Sequence, residues 1–241
     1  MLAAVALFTA CGREPATAPS VPCPVKFTVE PVWNGAPFNK GTVYMNADDK
    51  RVQVQTLKFY LAPVTLLGGA QQAEILRADL FDVVNGGATR ILQAPAGRYT
   101  GLRFGLGLPH DLNHTDITQI DPNTPLGNNS GMYWTWATMY RFTLFEGRFD
   151  NDPQASGPLP FQFAYHTGLD TLYRTRTLPV MLEVTPSDTT EIVLQVDVAR
   201  FFTNGSDTLD LSQGSSFHGE PGLLELGMRI ADLERDAFRL P

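Results

Sequence analysis

Lys26-Phe27-Thr28-Val29-Glu30 and Glu191-Ile192-Val193-Leu194-Gln195-Val196-Asp197-Val198 decide how this chain is read, because both are β-branched and apolar at the positions an extended backbone turns inward. Successive side chains of a strand leave on opposite faces, so a period of two supplies one face for a core and one for water. Val52-Gln53-Val54-Gln55 repeats the pattern. Further runs rich in β-branched and aromatic residues occupy 57–67, 75–84, 98–108, 133–145, 159–166 and 177–184. Gly68-Gly69, Asn85-Gly86-Gly87 and Pro95-Ala96-Gly97 separate several of these runs as tight connections. So many strands with hardly any helical period between them predict an all-β fold, an antiparallel β-sandwich or open barrel, and not a βαβ arrangement. The exception closes the chain. Within 221–238, Leu223, Leu226, Ile230, Leu233 and Ala237 recur at spacings of three and four, the stripe of an amphipathic helix expected to cover a sheet edge or a barrel mouth.

With 43% hydrophobic and 18% charged residues, the chain has enough apolar surface to order one large β domain, placed at 25–241. A net charge of −7 with no Lys/Arg cluster excludes nucleic acid, whose phosphates need a concentrated basic face. Residues 1–10 (MLAAVALFTA) are too short an apolar run to span a bilayer and read as the core of a signal peptide. Leu7-Phe8-Thr9-Ala10-Cys11-Gly12 resembles a bacterial lipobox, with Phe8 where Leu is usual and Cys11 as the lipidated residue. An ordinary cleaved secretory signal is the alternative. Both readings export the protein, as a periplasmic protein or an outer-membrane lipoprotein. The Pro/Ala/Ser-rich stretch that follows completes a signal and flexible tether over 1–24. Lipidation of Cys11 leaves Cys23 unpartnered; a Cys11–Cys23 disulfide in a non-lipidated protein is the competing arrangement.

Enzyme signatures are missing from the sequence: there is no Gly-x-Ser-x-Gly elbow, His-Glu-x-x-His, haem-attachment motif or phosphate loop. The chain is therefore read as a binding protein. Residues 109–130 form a connection too long for a turn, and long ordered loops tend to carry function. The four histidines, His110, His114, His166 and His218, can each offer an imidazole nitrogen to copper, zinc or iron. His166 ends the apolar segment Phe161-Gln162-Phe163-Ala164-Tyr165, so a strand should deliver it at a sheet rim. His218 precedes the terminal helix, which could fold it over the same mouth. His114 is the third candidate ligand, and His110 is read as a hydrogen-bonded loop residue. The oxygen-rich run Asp111, Asn113, Asp116, Asp121 and Asn123 offers calcium as a second metal, although it lacks EF-hand spacing.

Five ordered blocks carry a family resemblance. They are Val54-Gln55-Thr56-Leu57-Lys58-Phe59-Tyr60-Leu61-Ala62; Leu102-Arg103-Phe104-Gly105-Leu106-Gly107-Leu108-Pro109 with Asn113-His114; Met132-Tyr133-Trp134-Thr135-Trp136 running to Tyr140-Arg141-Phe142 and Glu146-Gly147; Phe163-Ala164-Tyr165-His166-Thr167-Gly168; and Val196-Asp197-Val198-Ala199-Arg200-Phe201-Phe202. In this order they resemble the MbnP-like proteins of methanobactin operons, the metallo-mystery pair family, from about Pro24 to the end. The resemblance implies an exported copper-binding protein encoded beside a di-haem cytochrome c peroxidase-like partner of the MbnH/MauG type. It further implies that the partner oxidises a tryptophan, Trp134 or Trp136, and that Cu(I) is held by the product with imidazoles from His166, His218 and His114. Methanobactin-type members carry His beside these tryptophans, where this chain has Tyr133 and Thr135. The competing reading is a metal-free envelope interaction or glycan-binding module, with the tryptophans as an aromatic packing cluster.

Overall fold

A computed structural model describes residues 21–69, 71–135 and 139–241. Two sheets enclose the main core. The smaller is built on Pro22–Trp33, whose inward residues Cys23, Val25, Phe27 and Val29 are fully buried while their neighbours stay partly wet. Thr190–Asp197 lies parallel to it, with Val25 opposite Thr190 and Val32 opposite Asp197, and Ala88–Pro95 runs antiparallel. The larger sheet runs Arg174–Val184, Gly97–Leu106, Arg51–Gly68, Thr143–Asp150, Phe161–Thr167 and Ser216–Phe217. At its centre, the 18-residue strand Arg51–Gly68 unites what the sequence presents as two runs, 52–55 and 57–67. Among the described residues the sheets do not close into a barrel, so the fold is the all-β sandwich. It departs from purely antiparallel pairing twice, at Pro22–Trp33 with Thr190–Asp197 and at Phe161–Thr167 with Ser216–Phe217.

The core joins both sheets. Phe27 meets Phe81 edge-on at 6.1 Å, and Phe238 from the last short strand packs against Phe59 and Phe104, both at 5.2 Å. Each such ring removed from water contributes about 1.5–3 kcal/mol. A second apolar cluster, with Tyr60, Leu108, Leu112, Met132, Tyr140 and Phe142, lies under residues 109–132. It explains why that long connection is ordered: Tyr60 and Tyr140 donate their hydroxyls to the carbonyls of Pro125 and Leu126, each at 2.6 Å.

The first strand starts inside the stretch that composition assigns to the tether. Cys23 pairs with Ala94 across the sheet and is buried, its thiol donating to the Val21 carbonyl, so Pro22 to Pro24 belong to the domain. The prolines fit here because a strand can begin at proline. The C-terminal helix spans Leu224–Asp236, preceded by a 3₁₀ turn over Pro221–Leu223. Ile230, Leu233 and Ala237 are buried as the stripe requires, but Leu223 is 42% exposed because it sits outside the helix proper. Arg174 and Arg176 fasten the helix to the larger sheet through Asp232 at 2.7 Å and Asp236 at 2.9 Å.

Candidate metal centre at the sheet rim

Register explains how His166 and His218, far apart in sequence, become neighbours. Tyr165 lies opposite Phe217 in the parallel pair, and both rings are fully buried in the core. The next residue on each strand therefore turns to the other face, which brings the His166 and His218 rings to 4.5 Å between centroids, nearly perpendicular at 89°. Trp134 completes the group, its ring 5.9 Å from each imidazole. The three line a small cleft with Arg141, Gly168 and Gly219. Gly168 is required by close approach: a Cβ there would lie 2.5 Å from the Tyr140 carbonyl oxygen.

Glu146 is the functional residue that sequence reasoning left without a role. On the neighbouring strand Leu144 lies opposite His166, and Glu146, two residues on, shares its face. Its Oε1 lies 2.7 Å from His166 Nε2. A carboxylate can only accept, so Nε2 carries the proton and Nδ1 carries the free lone pair. That Nδ1 is buried and has no hydrogen-bond partner among the described residues. Burial, with smaller contributions from His218 and Arg141, lowers the His166 pKa, and Glu146 offsets this only in part. The ring is therefore neutral at pH 7, the form a metal requires.

Arg141 stands over Trp134, its guanidinium carbon 5.2 Å from the ring, a cation–π contact. The indole is 36% exposed, open to a partner at the surface. Tyr133, beside it, packs edge-on against Tyr140 at 5.1 Å and so takes no imidazole's place.

His114 is placed in a different group. Its Nε2 is 2.9 Å from Asp170 Oδ2, and its ring stacks on His110 at 4.2 Å. The calcium-type run does not gather around a centre. Asp116 caps Thr118, Asp121 accepts from the Asn123 amide, Asp111 faces Arg77, and Asn113 is buried against Tyr140 and Asp170. Cys11 and Trp136 lie outside the described residues.

A β-sandwich domain with an imidazole–indole cleft at the rim of its larger sheet is the kind of protein these elements define. The chain belongs to the MbnP family, whose model matches residues 22–218, a span that takes in Trp134, His166 and His218. Among solved structures it is similar to MbnP from Methylosinus trichosporium, with 17% identity and a TM-score of 0.47 over 85% of this chain and 82% of that one. No curated protein matches it.

Proposed function

We propose that this chain is an exported copper-binding protein that holds one Cu(I) between His166 and His218 beside Trp134, and that it acts in copper acquisition or handling. The Nδ1 of His166, buried and without a hydrogen-bond partner among the described residues, carries the reading. A carboxylate on the far nitrogen fixes the tautomer and ring orientation, the arrangement metal-ligating histidines commonly use. A neutral ring with a desolvated lone pair, next to a second imidazole whose centroid is 4.5 Å away, suits copper far better than magnesium or calcium, which take oxygen ligands.

In this reading a di-haem peroxidase-like partner oxidises a tryptophan, Trp134 or Trp136, and the exposure of Trp134 beside the two imidazoles supports that residue. The protein reaches its partner outside the cytoplasm, held to a membrane through lipid on Cys11. The competing function is a metal-free envelope module, for which the half-exposed indole over Arg141 would serve as an aromatic platform for a protein or glycan. Cu(I) titration against a competing chelator separates the two. Sub-micromolar binding that disappears in a His166→Ala/His218→Ala double variant supports the copper site, and binding unchanged in that variant favours the module. Intact mass after co-expression with a di-haem partner tests the oxidation. An unshifted peptide containing Trp134 and Trp136 removes the tryptophan step.

A further inference from the structure

His110, His114 and Asp170 form a second cluster, independent of the rim cleft and built by different elements. Pro109 opens a single helical turn over His110–Asn113, and the i, i+4 spacing of the two histidines puts both imidazoles on one side of it. The rings are close to parallel at 19°, and both present Nε2 to the same carboxylate oxygen: Asp170 Oδ2 is 2.9 Å from His114 and 3.7 Å from His110. The three ligand atoms all lie within 4.8 Å of one another. Donors held about 2.1 Å from a tetrahedral ion sit roughly 3.4 Å apart, so the observed spacings bracket what one small cation needs.

The support behind the cluster is what separates it from a chance surface grouping. Asn113 is only 2% exposed, and its side chain is used at both ends. Its Oδ1 accepts from the Tyr140 amide at 3.2 Å, and its Nδ2 donates to Asp170 Oδ1 at 2.7 Å. One oxygen of Asp170 is thereby held from within the fold while the other is turned to the imidazoles, the outer-shell support that fixes a ligating carboxylate. His110 remains 76% exposed and His114 40%, leaving further coordination positions open to water.

We propose that His110, His114 and Asp170 form a second metal site that takes a borderline divalent transition ion of the zinc class, distinct in chemistry from the Cu(I) cleft. Two imidazoles and a carboxylate facing water favour such an ion, while a cleft of two imidazoles without a carboxylate ligand, one of them buried, favours Cu(I). An ion there ties the turn at 110–114 to the segment after Phe161–Thr167, which continues through Gly168 and Leu169 into the wall of the cleft.

The test is zinc alone, titrated calorimetrically into tag-free protein, with thermal melts in parallel. Wild type is expected to bind one equivalent in the micromolar range or tighter and to melt at higher temperature with zinc. His110→Ala, which alters a largely exposed side chain, and Asp170→Asn should each weaken that event about tenfold or more. The His166→Ala/His218→Ala double variant should keep it. Zinc binding unchanged in His110→Ala, no binding in wild type, or loss confined to the double variant would each overturn the site. The outcome is separable from the copper reading, because Cu(I) affinity is measured on a different pair of residues.

Discussion

Glu234 should make this protein less stable as the pH rises through neutrality. The side chain is 1% exposed on the inward face of the C-terminal helix, where Oε2 accepts from the Thr167 hydroxyl at 3.2 Å. Burial, the largest influence, pushes its pKa up to about 8 from 4.5, against the opposing pull of Thr143, Thr167 and Arg174. In this window the folded state holds a proton that the unfolded chain has released, so stability is fully present below pH 4.5. It falls through the interval and levels off above pH 8. At 1.36 kcal/mol per unit, the part lost between pH 5 and pH 7 is about 2–3 kcal/mol. Glu234→Gln keeps the shape and cannot ionise, so the difference between wild type and variant isolates this residue from every other titrating group. Denaturant unfolding of both proteins at pH 5 and pH 7 measures it. A difference that changes by less than about 1 kcal/mol, or with wild type gaining relative stability at pH 7, would show that Glu234 ionises in place or is relieved by water.

Glu146→Gln should weaken Cu(I) binding about 10–100-fold without unfolding the domain, because it removes the charge that orients His166; chelator competition alongside circular dichroism checks both halves. Protons compete with metal for His166 only below its lowered pKa, so the copper affinity contributed by this ligand should stay flat from pH 8 down past 6.5, the ordinary imidazole value. A decline that begins above pH 6.5 would mean that the ring is not desolvated as described. Gly227→Ala should destabilise by about 1–3 kcal/mol even though alanine is the better helix former, since a Cβ there would collide with the Phe217 ring. The same variant should lower copper affinity, because His218 follows Phe217 directly, and equilibrium unfolding with parallel copper titration reads both.

The strands were legible where polarity alternates, as from Lys26 to Glu30, because that period follows from backbone geometry alone. Their partners were not. The same alternation serves a parallel or an antiparallel neighbour, so nothing local in 190–197 announces its parallel pairing with Pro22–Trp33. His166 could be placed at a strand end from its own segment. Its pairing with His218 depends on Ser216–Phe217, two residues long and too short to show any period. Glu146 carried a readable signal, a carboxylate directly after the apolar pair Leu144-Phe145 in the strand Thr143–Asp150, and so did Glu234, four residues beyond Ile230 on the buried stripe. His110 was read as an ordinary loop residue because the Pro109-His110 and His114 spacing gains meaning only with Asp170, brought in from more than fifty residues away.

The short parallel pairing at Ser216–Phe217 has a consequence for the lifetime of the protein. Beyond it the chain continues into the terminal helix, whose Gly227 seats directly on Phe217, and then into the Phe238–Arg239 strand of the smaller sheet. An ion shared by His166 and His218 would act as a rivet through that seam. Loaded molecules would then open at the seam less readily than empty ones, so the cargo itself would bear on which copies persist.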